Sequence, residues 1–302
     1  MTGDIVNSKN KFKMKKFAIL VMALAVAASC KKTDEPTPAP EPEAIPLQIA
    51  TSVTRATDYA FETGDVVGLY VASVPATLKT TGNHIDNAKF TFDGTKWNGD
   101  QQYYWQDGTT KADFYCYYPY ASSVSSVTAI PFKVSQDQSS ETGYKASDFM
   151  FGKVAGIAPT PDPVMINVKH AMSCLVVNLK AGTGWKEDDL KSAEVTLAGL
   201  KASALVNLAD ITVAADGSAS EIKPLKTADG AFKALVVPQN VTNSELVKIK
   251  LGENSYALTT SISMEPGKQY ACTVVVNRSS EGINIGISPW ESDGKDYGGS
   301  VE

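Results

Sequence analysis

The chain has 302 residues with 28 Lys and Arg against 33 Asp and Glu, a formal net charge of -5. Residues 1–29 hold five Lys and one Asp, so the chain from Cys30 onward stands at -9. No run of Lys and Arg is clustered for phosphates, which argues against nucleic acid as a partner.

The first informative stretch starts at Met14, the expected true start, because Lys15 and Lys16 precede an apolar run from Phe17 to Ala28. That run has the length of a signal-peptide core and about half the length of a bilayer-spanning helix. It ends in Ala27-Ala28-Ser29-Cys30, small residues before a thiol that can be acylated. Residues 1–29 therefore read as a signal peptide and Cys30 as a lipidation site holding the chain to a membrane. Residues 30–44 are rich in Pro and charge, with almost nothing apolar to bury, and read as an extended tether. Ile45, Leu47, Ile49 and Val53 then alternate with more polar residues, the period of a half-buried strand that stops at Arg55. Burying those four side chains is worth about 6–12 kcal/mol as an upper bound.

Beyond Arg55 the pattern is all-β, with strand-like runs at Val66–Ser73, Lys89–Phe92, Phe114–Tyr118 and Ile130–Val134. Asp93-Gly94 suits a tight hairpin. Pro159, Pro161 and Pro163 fall within five residues, which no helix or central strand tolerates. The break divides the chain into an N-terminal β-sandwich, 45–160, and a C-terminal β-sandwich, 164–302, built from antiparallel strands. The fair helix candidate is Trp185–Ser192, with three acidic residues near its start.

Candidates for chemistry are sparse. His84 and His170 are the two histidines and neither has ligand-spaced neighbours, so no metal site is expected. His170 reads as a hydrogen-bonded packing residue, with a general base as the alternative. Ser220 and Lys223 share a spacing used by acyl-enzymes, but the companion motifs are missing. Gly182-Thr183-Gly184 reads as a turn. Neither an enzyme nor a cofactor is expected. Cys116, Cys174 and Cys272 sit in apolar runs and read as buried thiols, with one disulfide left open. Tyr103, Tyr104, Trp105, Tyr115, Tyr117 and Tyr118 read as core and edge packing, with a glycan-stacking platform as the alternative.

Several phrases, in this order, resemble the fimbrillin (Mfa-like) family of Bacteroidetes surface proteins: the lipoprotein leader, Val53–Thr57, Phe61–Tyr70, Phe114–Tyr120, Ser147–Gly152, Val168–Met172, Val236–Gln239, Glu265–Tyr270 and Ile287–Trp290. The resemblance implies two transthyretin-like antiparallel β-sandwich domains in tandem and a structural subunit of outer-membrane, cell-surface fimbriae of the type V pilin kind. It further implies cleavage between Arg55 and Ala56 by a trypsin-like protease. Loss of the strand carrying Ile45, Leu47, Ile49 and Val53 would open a groove that another fimbrial subunit fills by donor-strand exchange, in support of adhesion to a host glycan or protein receptor. Ile283, Ile285 and Ile287 have the alternation of such a donor, with the last strand of the second domain as the plain alternative. The short polar stretch after Trp290 leaves a tip or accessory role open, and an uncleaved glycan-binding lipoprotein is the rival reading.

Overall fold

Period-2 patterning and turn chemistry give an all-β protein in this computed structural model, which describes residues 44–54 and 60–278. The first half forms β1 (Ile49–Thr54), β2 (Val66–Ser73), β3 (Ile85–Phe92), β4 (Trp97–Gly99), β5 (Ala112–Tyr118), β6 (Ile130–Lys133), β7 (Met150–Ile157) and β8 (Val164–His170). The second half forms β9 (Ser173–Ala181), β10 (Glu194–Asn207), β11 (Thr212–Ile222), β12 (Leu225–Ala228), β13 (Ala231–Val236), β14 (Asn240–Leu251), β15 (Asn254–Ser263) and β16 (Gln269–Val276). Two short helical turns interrupt them. Helix α1 (Glu141–Lys145) starts where the Ser140 side chain accepts from the Gly143 amide. At Glu187–Ser192 the expected helix forms as a 3-10 turn with its acidic residues in the first turn.

Seven strands make the first sheet, in the order β1-β8-β7-β5-β2-β3-β4. β1 runs parallel to β8, with Ile49 opposite Val164 and Thr54 opposite Lys169. The strand at 164–170, which the proline-rich break assigns to the second half, thus belongs to the first sheet, flanked by β1 and β7. Conversely, β6 leaves the first half and pairs antiparallel with β10, Ile130 opposite Val206. The second half otherwise forms a sheet β11-β10-β14-β15 and a sheet β12-β13-β9-β16, with β16 parallel to β9.

Both faces of the first sheet are buried, which explains why β2 and β5 read as nearly continuous apolar runs. One face packs Val67, Leu69, Val71, Phe114 and Cys116 with Leu47, Ile49, Trp97 and Ile166. The other face packs Tyr70, Tyr115, Tyr117, Phe149 and Phe151 in a cluster that continues through Leu175, Leu197, Val206 and Leu235 of the later sheets. Gly68 makes the second face possible, because a Cβ there would lie 2.2 Å from Cε1 of Tyr117. The Tyr117 ring occupies that space and stacks against Tyr70 and Phe149, with centroids 6.5 and 6.1 Å away.

Candidate functional site

The segment 45–54 is seated by two different partners. Its first residues meet the loop ahead of β5, where the Leu47 amide donates to the Tyr103 carbonyl and the Trp105 amide donates to the Ile45 carbonyl, at 2.9 and 3.0 Å. Its later residues form β1 against β8. The odd-numbered side chains face inward: Leu47 and Ile49 are fully buried and Ile45 and Val53 are half-buried, all in the cluster on the first face. Pro46, Gln48 and Ser52 face out. The alternation at 45, 47, 49 and 53 is therefore a strand with its apolar face in the core.

β1 and β4 are the two ends of the sheet order, and a gap of about 550 Å³ separates Leu47 and Gln48, just ahead of β1, from Lys96, Trp97, Gln101 and Tyr103 at and around β4. A side-chain bond links the two end strands: Trp97 Nε1 donates to Thr51 Oγ1 at 2.9 Å. The Trp97 ring is held by Phe61 at 4.9 Å edge-on and by Phe92 at 5.1 Å, so the indole N–H has little freedom to turn away. Thr51 thus replaces an apolar residue for a reason: the inward position has a buried donor to satisfy. The hydroxyl that interrupts the apolar alternation was the available sequence signal for this partner.

Beside Phe61 lies a second polar group. Lys145 pairs with Glu62 at 2.7 Å, and His170 Nδ1 lies 2.8 Å from the carboxylate of Asp148, both residues buried. Burial pushes the Tyr118 hydroxyl up to about 12, helped by the charge of Asp65. His170 is a hydrogen-bonded packing residue at the end of β8, tying it to the loop before β7.

The remaining candidates are dispersed. His84 bonds the Tyr104 carbonyl through Nε2 at 2.8 Å, far in sequence from His170. Among the described residues, no group of three His, Cys, Asp or Glu could hold a metal ion. Trp105, Tyr115 and Tyr117 are buried core residues, Tyr103 and Tyr118 are partly covered, and Tyr104 is 44% exposed. The six aromatics therefore do not form one flat platform. Cys116, Cys174 and Cys272 are all buried, and Cys116 and Cys272 are free thiols. Ser220 bonds the Leu200 carbonyl, and Lys223 lies on a bridge to Asp137. Cys30, the Arg55–Ala56 bond, residues 1–29 expected to form a signal peptide, and the donor candidates Ile283, Ile285 and Ile287 lie outside the described residues.

Known proteins give this arrangement a context. A protein of Bacteroides uniformis named "Putative fimbrium subunit Fim1C" is 26% identical over 258 residues, covering 78% of this chain and 81% of that one. A "Putative fimbrium tip subunit Fim1C" of Bacteroides ovatus is 29% identical over 143 residues, 42% of this chain and 26% of that protein. Crystal structures described as cell adhesion proteins from Bacteroides uniformis and Bacteroides ovatus share the fold, with TM-scores of 0.62 and 0.66 at 22% and 18% identity. They cover 78% and 82% of this chain, and 93% and 96% of their own. The family model described as fimbrillin-like matches residues 54–290, most of the chain, and the protein belongs to the fimbrillin-like family.

Proposed function

We propose that this chain is a structural subunit of cell-surface fimbriae that assembles by strand exchange and supports adhesion. In this reading it is exported to the outer membrane as a lipoprotein acylated at Cys30, and a trypsin-like protease cuts it between Arg55 and Ala56. The freed segment then yields its place to an extended segment of another fimbrial subunit. The observation that carries the reading is the seat of 45–54: a strand at the very edge of the sheet, with Leu47 and Ile49 at 3% and 4% exposure, immediately ahead of a single Arg. Removing such a strand uncovers apolar side chains together with the unpaired backbone of β8, a surface that captures extended peptides by strand addition. The family match begins at residue 54, two residues ahead of the Ala56 at which the cut chain would start, and so leaves out nearly all of the 45–55 segment. The fimbrial descriptions of the Bacteroides relatives support the role, and the tip description of one of them agrees with a tip or accessory position.

The experiment is limited trypsin digestion of the full-length chain followed by intact-mass analysis and size-exclusion chromatography. A new N-terminus at Ala56 with formation of multimers is expected. Nicked protein that stays monomeric, with 45–55 still bound, overturns the assembly.

A further inference from the structure

The seat of 45–54 does more than accept any apolar strand: it asks for a hydrogen-bond acceptor at one position. Leu47 and Ile49 leave two deep apolar sites, Ile45 and Val53 two shallower ones, and at Thr51 the indole N–H of Trp97 points inward with its ring fixed between Phe61 and Phe92. A replacement strand with an apolar residue at that position leaves a largely buried donor unsatisfied, since Trp97 is 7% exposed. Lys96, next to Trp97 in the chain, lines the gap beside that ring with Gln48, Gln101 and Gln102, and its positive charge favours a negatively charged acceptor for the indole over a neutral one.

The sequence 279–289, Ser-Ser-Glu-Gly-Ile-Asn-Ile-Gly-Ile-Ser-Pro, can be laid into these sites in a few registers. Running in the direction of β1, with Ile283, Ile285 and Ile287 on the sites of Ile45, Leu47 and Ile49, it brings Pro289 to the Thr51 position. Shifted by two residues it brings Ile287 there. Neither side chain accepts a hydrogen bond. Running in the opposite direction, Ile287, Ile285 and Ile283 fill the sites of Ile45, Leu47 and Ile49, and Glu281 falls on the site of Thr51. Gly282, Asn284 and Gly286 then take the outward positions.

The geometry points to Trp97 and Lys96 as the residues that select the incoming strand, and to Glu281–Ile287 of a second copy of this chain as the strand selected, lying antiparallel to β8 with the Glu281 carboxylate accepting from Trp97 Nε1. This rests on the strand-exchange reading above. Reversal also converts the parallel β1–β8 pairing into an antiparallel one, the slightly more stable kind.

The test uses full-length chain nicked after Arg55 and fluorescent peptides spanning 279–289 or 45–54. The 279–289 peptide is expected to enter, and its E281V form to bind about tenfold more weakly, the worth of a hydrogen bond to a charged group. In a Trp97→Phe chain that difference is expected to vanish. A second variant, Lys96→Ala, changes an exposed side chain and leaves the ring in place; there, E281Q is expected to bind as well as the unsubstituted peptide. Equal binding of both peptides to the unsubstituted chain, or an equal loss in all three chains, overturns the selection by Trp97 and Lys96. Entry of the 45–54 peptide with exclusion of 279–289 overturns the occupant while leaving strand exchange standing. Exclusion of both peptides overturns strand exchange and this proposal together.

Discussion

Tyr117 lies flat over Gly68 on the neighbouring strand, at a distance that leaves no room for a methyl group. Gly68→Ala is therefore an overpacking substitution in the middle of a sheet buried on both faces, and it is expected to cost about 1–3 kcal/mol. Urea unfolding followed by tryptophan fluorescence measures it. Restoring most of the loss in a Gly68→Ala/Tyr117→Leu double variant would tie the cost to this ring rather than to the backbone.

The segment 45–54 gives a second prediction. Leu47→Ala and Ile49→Ala remove fully buried side chains, so each is expected to lower the stability of the uncut chain by about 2–5 kcal/mol. Gln48→Ala, on the outward face, is expected to change it by less than about 0.5 kcal/mol. Thermal unfolding of the three variants side by side separates inward from outward positions; equal losses would mean that the strand does not sit with its odd-numbered residues inward.

His170→Ala removes the partner of a carboxylate that is 6% exposed. The orphaned Asp148 is expected to destabilise the fold by about 1–3 kcal/mol. The double variant His170→Ala/Asp148→Ala is expected to be less destabilised than the sum of the two single changes, because it leaves no unpaired charge. A double-mutant cycle by denaturant unfolding reads the coupling directly.

Thiol chemistry provides the pH-dependent case. Burial pushes the Cys116 thiol up to about 12 and also raises that of Cys272. A raised thiol value means less thiolate at any lower pH, so at pH 8 only about one Cys116 in 10⁴ is ionised in the folded chain. Iodoacetamide at pH 8 is expected to spare Cys116, Cys174 and Cys272 until denaturant is added, and mass spectrometry of the alkylated peptides follows this. Rapid native alkylation of Cys116 would contradict the packing of β5.

The division between what the residues announce and what they conceal follows the range of the interactions. The inward set at 45, 47, 49 and 53 and the β2 and β5 runs are carried by local period and composition, and they appear where the sequence places them. Gly94 takes the positive φ that its turn reading requires. Partnership across long separations has no local signature. Nothing in Met165–Lys169 says that it will lie between β1 and β7, and nothing in Ile130–Lys133 says that it will cross to β10. The same holds for the site. The apolar alternation is visible in sequence, but the indole that reads Thr51 comes from 46 positions away, and the aromatic run at 103–118, which reads as packing, does not say which ring goes to which face of the sheet.

Ser52 meets Asn167, 115 positions further along the chain, and among the described residues the strand paired with β1 is β8. Synthesis proceeds from the amino end, so β1 exists long before the surface that will receive it has been made. Contacts that close loops of this size form slowly relative to hairpins. Docking of β1 on β8 is thus expected to follow the hairpins around it, and a strand from a neighbour would be seeking a seat that β1 itself reaches late.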